Sequence, residues 1–232
     1  MFFFSVLVAQ LLFSFSVRPL RQFFEAVPPV PTEASASVKY LGDDELAYRS
    51  YGMMIQNFGT TGGHNVALKD YNFERLARWF FLEHSLDSRS DFIPFLASYY
   101  FGASQDPSKL YPVLDYLEVA GNSSKDEKWR WMGQAVYLAR FRMNDNDKAL
   151  ELAYKLSDLY VTGMPAWTKQ MPAFVQLNMG EKDAANAFMR EILISDSERM
   201  HPNEVNFMVD YICNRTLDAS QSKKDPLCAE FH

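Results

Sequence analysis

Apolar residues recur at three- and four-residue spacing through most of the chain, in segments of about three turns separated by short polar or glycine-bearing breaks. This is the period of amphipathic helices, and no segment sustains the alternation of a strand, so the chain is predicted to be all-α. Leu46, Ala47, Met54 and Phe58 mark one face of a helix begun by Asp43–Asp44 and ended by Gly59. Phe73, Leu76, Ala77, Phe80 and His84 mark a second, begun by Asn72. Asp87 suits the cap of a third, carrying Phe92, Leu96, Tyr99 and Tyr100. A ninth helix opens at His201–Pro202–Asn203 and runs through Val205, Phe207, Met208 and Ile212.

Between these lies a repeated phrase, an aromatic-rich helix closed by a small or polar turn and followed by a second apolar helix. It reads 92–102 then 106–120, 128–143 then 147–160, and 166–179 then 183–194. The second helices align on Leu110, Ala149 and Ala185, which are 39 and then 36 residues apart. A period of that size belongs to stacked helical hairpins, each unable to bury its apolar face alone. Pro112 and Pro172 fall inside two of the helices, which are therefore either kinked there or begin near those residues.

The phrase resembles the tetratricopeptide repeat (TPR). Residues 144–156 (NDNDKALELAYKL) and 180–192 (GEKDAANAFMREI) look like the turn and second helix of such units. In each, a small residue, Ala149 or Ala185, falls five positions after the turn residue, Asn144 or Gly180, where two helices cross closely. The resemblance covers about 90–195. The usual tryptophan–leucine–glycine–tyrosine spacing is only approximated, by Gly133 and Tyr137, and the closing proline comes late, at Pro165. It implies about nine helices in a TPR-like solenoid over 40–215, and a scaffold or adaptor in a bacterial envelope assembly without chemistry of its own.

The amino end breaks the amphipathic pattern. Phe2–Val17, FFFSVLVAQLLFSFSV, is apolar on all sides and is predicted to be a single-pass membrane anchor over 1–17, with a cleaved signal or a buried helix as alternatives. Arg18 and Arg21 flank its carboxyl side and tilt the expectation towards a bacterial inner-membrane protein with a cytoplasmic array, a periplasmic array being the other reading. Residues 18–39, with PPVPTEASASVK at 28–39, read as an extended linker, and 216–232 as a flexible tail.

Composition narrows the partners. The net charge of −6 and the absence of a basic stripe argue against nucleic acid. Hydrophobic residues make up 48% of the chain, enough for a sizeable core. Cys213 and Cys228 have no zinc-type spacing; in an oxidising compartment they would pin the tail to the last helix, and in a reducing one remain thiols.

Candidate chemistry is sparse. The stretch GTTGGH at 59–64 resembles a phosphate-cradling loop but lacks the lysine and preceding strand of one, so a turn is the simpler account. His64, His84, His201 and His232 are scattered without metal-ligand partners, and no cofactor or catalytic group is assigned. Asn122–Ser123–Ser124 and Asn214–Arg215–Thr216 fit the short glycosylation pattern. The expected function is protein–protein interaction. Its expected partner-binding residues are Trp129, Arg130, Trp131, Arg140 and Trp167, on the first helices of hairpins. Trp129 and Trp131, two apart, are expected to divide between core and surface. Two further readings remain: a permanent accessory subunit of a membrane complex, and an enzyme or small-ligand binder using 59–71.

Overall fold

The computed structural model describes residues 2–17, 25–60 and 65–231. Among them are twelve α-helices, some prolonged by π or 3-10 turns, and no strand. Helix α1 (Phe2–Val17) is followed by α2 (Glu33–Lys39), α3 (Asp44–Gln56) and α4 (Phe73–Leu86). Then come α5 (Phe92–Phe95), α6 (Tyr111–Gly121), α7 (Trp129–Tyr137), α8 (Asn146–Asp158) and α9 (Ala166–Met179). The last are α10 (Lys182–Asp196), α11 (Pro202–Tyr211) and α12 (Ala219–Ser222).

From α6 to α10 each helix packs chiefly on the next in sequence. The turns between them follow from local chemistry. Asn144 and Gly180 both adopt the left-handed conformation (φ 54° and 86°), which reverses the chain before α8 and α10. Asp145 then caps α8 by accepting the Lys148 N–H at 2.9 Å. Ala149, Ala153, Ala185 and Met189 are all fully buried, which places the small residues of the repeated phrase inside the core. Pro172 lies within α9, which starts at Ala166 and continues past the proline. At Pro112, α6 begins only at Tyr111, after a separate 3-10 turn at Pro107–Lys109.

Helix α1 is sixteen residues long, and its described side chains are exposed. At about 1.5 Å per residue it reaches roughly 24 Å, short of a hydrocarbon core of about 30 Å. Among the described residues no helix is long and apolar enough to cross a membrane. Arg18 and Arg21, expected to set orientation, lie outside the described residues.

Two expectations need correction. The segment 18–39, expected to be an extended linker, is described from residue 25, and from there it is part of the folded body. Val27 is buried, and its carbonyl accepts a hydrogen bond from the Arg75 guanidinium at 2.9 Å. The Pro28 carbonyl accepts the Trp79 indole N–H at 2.9 Å. The ASAS run forms α2, because Thr32 caps it by accepting Ser35 N–H and Ala36 enters the core. The tail 216–232, expected to be flexible, is folded through residue 231. Asp218 and Gln221 form a reciprocal capping box for α12, a 3-10 turn follows, and Arg190 pairs with Asp225. Cys213 and Cys228 are joined by a disulfide with Cα atoms 5.7 Å apart, both within the second core.

That second core gathers Ala173, Ala185, Met189, Ile192, Met208, Tyr211 and Ile212 around the disulfide. The larger first core runs from Val27 to Val175. A loop of the size closed by the disulfide contributes about 3 kcal/mol in the chain-entropy account, a useful staple for so small a cluster.

Candidate interaction face

The first helices of the hairpins carry the aromatic residues, and two of them end unusually. Helix α5 widens into a π turn at Leu96–Tyr100, and α7 into a π turn at Leu138–Arg142. Single π turns of this kind re-aim side chains and are frequent at functional sites. The two segments lie side by side, with the Leu138 methyls seated on Gly102.

Between them run two open depressions, of about 480 and 370 Å³, that share Tyr99 and Gln134. Phe92, Phe95 and Tyr99 form one wall at helical spacing. Trp131, Gln134, Tyr137 and Leu138 form the other, with Arg142 at one end. The rings pair along each wall: Phe95 with Tyr99 at 5.1 Å and Tyr137 with Phe141 at 5.2 Å between centroids. Phe95, Tyr99 and Tyr137, which line the depressions, are 50–53% exposed, and Phe141, packed on Tyr137, is 63% exposed.

A polar node closes the Trp131 end. Asp91 accepts from Lys128 Nζ at 2.8 Å and from Trp131 Nε1 at 2.8 Å, and pairs with Arg130. Lys128 Nζ also donates to the Arg89 carbonyl at 2.6 Å. Partial burial alone would raise the Asp91 carboxyl. The hydrogen bonds from Lys128 and Trp131, with the charges of Lys128 and Arg130, outweigh it and hold the group below the usual carboxylate range. The node therefore ties the start of α5 to the start of α7 and fixes the width of the groove.

The sequence-based candidates divide accordingly. The expected division of Trp129 and Trp131 between core and surface does not occur: both are buried, at 9% and 4% exposure. Helix α7 is covered on more than one side. Trp129 meets the Trp167 ring at 5.5 Å, while Trp131 turns the opposite way onto Asp91. Trp131 still lends a ring to the groove wall, with the Arg130 guanidinium over it at 4.8 Å. Trp167 is partly exposed and packs over Gly133. Arg140 donates to the Asn146 side chain at 2.6 Å and lies 5.6 Å over the Phe141 ring. Arg142 donates to the Ser104 carbonyl at 2.9 Å. Neither of these two guanidiniums has a carboxylate partner among the described ion pairs.

Asp91, Phe95, Tyr137 and Phe141 were not among the expected site residues. A signal was present in the spacing of Phe92, Phe95 and Tyr99 (i, i+3, i+7) and of Tyr137 and Phe141 (i, i+4).

The glycine loop offers less. Thr61 and His64 lie outside the described residues. Thr60 donates its hydroxyl to the Asn57 carbonyl at 2.8 Å; α3 ends at Gln56 with Asn57 as its cap, so Gly59, expected to end it, lies beyond the helix, at φ 77° against the Tyr71 ring. Among the described residues no three His, Cys, Asp or Glu side chains are grouped to hold a metal ion. Comparison with protein-family models, curated proteins and solved structures finds no match for the chain.

Proposed function

We propose that the protein is a membrane-tethered, TPR-like helical scaffold that binds a protein partner along the groove between α5 and α7. The observation that carries this reading is the run of exposed rings, Phe95, Tyr99, Tyr137 and Phe141, on adjoining helices whose spacing is held by the Asp91 node. Aromatic side chains and arginines are the residue types that dominate protein interfaces, and here they meet on one face. Sequential packing of α6 to α10, with alanines buried at the crossings, supports a repeat array.

The tether is α1. Its side chains are almost wholly apolar, without a distinct polar face, and are exposed, an arrangement that water disfavours and a lipid phase accepts. Arginine side chains just beyond it have the reach to extend to an interface.

The Cys213–Cys228 disulfide supports placing the array on the oxidising side of that membrane, the periplasmic side in a bacterium, rather than in the cytoplasm. Cells lysed into a thiol-blocking maleimide should yield protein in which both cysteines label only after reduction. Labelling of both before reduction would return the array to a reducing compartment.

The interaction is tested by affinity capture of the tagged full-length protein from gently solubilised membranes, beside the Tyr99→Ala/Tyr137→Ala variant. Both side chains are half exposed, so the variant should fold normally. A defined set of proteins, lost with the variant, is expected. The same set from both baits would remove the groove as the binding face.

A further inference from the structure

Helix α2 ends in an unusual turn. The Gly42 N–H bonds the Ser37 carbonyl at 3.0 Å and the Leu41 N–H bonds the Val38 carbonyl at 3.0 Å. This closure places one residue in the left-handed region, a position normally filled by glycine. Here it is Leu41, at φ 59°, with Gly42 following at φ 82°. The leucine side chain is 98% exposed, and Val38, three residues earlier, is 73% exposed. A branched apolar side chain is thus held in a disfavoured conformation and pointed entirely into solvent. Strain of that kind is kept where the surroundings make use of it.

The position of the corner indicates what covers it. Val38 lines the same depression as Pro28, Pro29 and Pro31, the strap that Arg75 and Trp79 hold to α4. The strap begins at residue 25, and only seven residues, 18–24, separate it from α1. Fully extended, such a tether spans at most roughly 25 Å. Whatever solvates α1 is therefore held within that reach of the strap whose depression Val38 lines.

We propose that the α2–α3 corner, through Val38 and Leu41, rests in the interfacial layer of the lipid bilayer that holds α1. The proposal depends on the reading of α1 as a membrane tether. Asp43, Asp44 and Glu45 follow the corner, and Asp43 turns its carboxylate onto the Leu46 N–H at 2.9 Å. The matching surface is thus a zwitterionic one, entered by apolar side chains rather than drawn by Coulomb attraction. A second anchoring point of this kind fixes the orientation of the array above the membrane.

The test uses the full chain with Leu41→Cys carrying an environment-sensitive dye, in phosphatidylcholine vesicles. The native cysteines are closed in their disulfide and do not react. Ile194→Cys, an exposed site on α10, the helix that supplies Met189 and Ile192 to the second core, is the control. The protein is expected to float with the vesicles. The dye at 41 should shift to shorter wavelength and be quenched several-fold more than at 194 by quenchers carried on the lipid. Flotation with equal, water-like emission at both sites would overturn the docking of the corner while leaving the tether intact. Failure to float would overturn the tether and this proposal together.

Discussion

Replacing Gly121 by alanine is expected to destabilise the fold by about 3 kcal/mol, the upper end for a rigid overpacking clash. Gly121 ends α6 where the chain turns into α7. A methyl group there would lie 2.9 Å from Met132 Cα and closer still to its backbone nitrogen. No side-chain rotation relieves a contact with backbone, so α6 and α7 would have to separate, opening a seam lined by Leu117, Met132 and Ala135, which are all essentially fully buried. Gly133→Ala provides the internal comparison. Its methyl would meet the Trp167 ring at 3.3 Å, and that ring lies at the surface and can yield. Urea unfolding of the two variants should show a large loss for Gly121→Ala and a much smaller one for Gly133→Ala. Equal, small losses would mean that α6 and α7 are not packed as closely as described.

The second large effect concerns Glu83 and carries the opposite sign. Glu83 lies on α4 with 0% exposure, and neither carboxyl oxygen has a hydrogen-bond partner. The hydroxyls of Tyr48 and Tyr116 lie near enough to feel its charge, and the backbone of Gly52 and the Phe92 ring lie beside it. Burial pushes the carboxyl from 4.5 up to about 9, because no cation offsets the loss of water. The folded protein therefore holds this proton to about pH 9, whereas the unfolded chain releases it above 4.5. The stability associated with this group is complete below pH 4.5 and falls as pH rises towards 9, by about 1.4 kcal/mol per pH unit. At pH 7 about 3 kcal/mol of it has gone. Glutamine keeps the shape of the neutral acid and cannot ionise. Glu83→Gln should therefore raise stability at pH 7 by up to that amount and flatten the fall between pH 5 and 9. Denaturant midpoints of the two proteins across that range make the measurement. Parallel curves would show that Glu83 is charged, and partnered, in the folded state.

What could be read from the sequence followed from periodicity. Helices α3, α4, α8 and α10 have apolar faces at helical spacing, α3 and α4 are capped at Asp43 and Asn72 as read, and α6 takes the later of the two starts that Pro112 left open. Ala149 of α8 and Ala185 of α10 were singled out by the resemblance to the tetratricopeptide repeat, and both are buried, each following a left-handed turn residue. The strap at 25–31 was not. Its prolines describe an extended backbone correctly, but only α4, through Arg75 and Trp79, decides that the backbone lies on the protein and not in solvent.

The groove was only half legible. Spacing alone sends residues two apart to different sides of a helix, as Trp129 and Trp131 are. It does not say whether both sides are covered, which depends on α9 and the start of α5. Likewise the π turns at 96–100 and 138–142 carry Tyr99 and Phe141 out of ideal helical register, and nothing in residue type marks them. The node at Asp91 joins residues 37 to 40 positions apart, a separation that only tertiary packing brings into contact.

The central claim is that the face between α5 and α7 is occupied by another protein at the membrane. It is tested most directly by a photo-activated crosslinking amino acid placed at Tyr137 in living cells, with the same group at Ile194 as the comparison. Both positions are exposed, so neither substitution should disturb folding. A discrete crosslinked band at Tyr137, absent at Ile194 and weakened by Tyr99→Ala, is expected. Tyr137 and Ile194 giving the same products, or none at Tyr137 in abundant folded protein, would contradict the account.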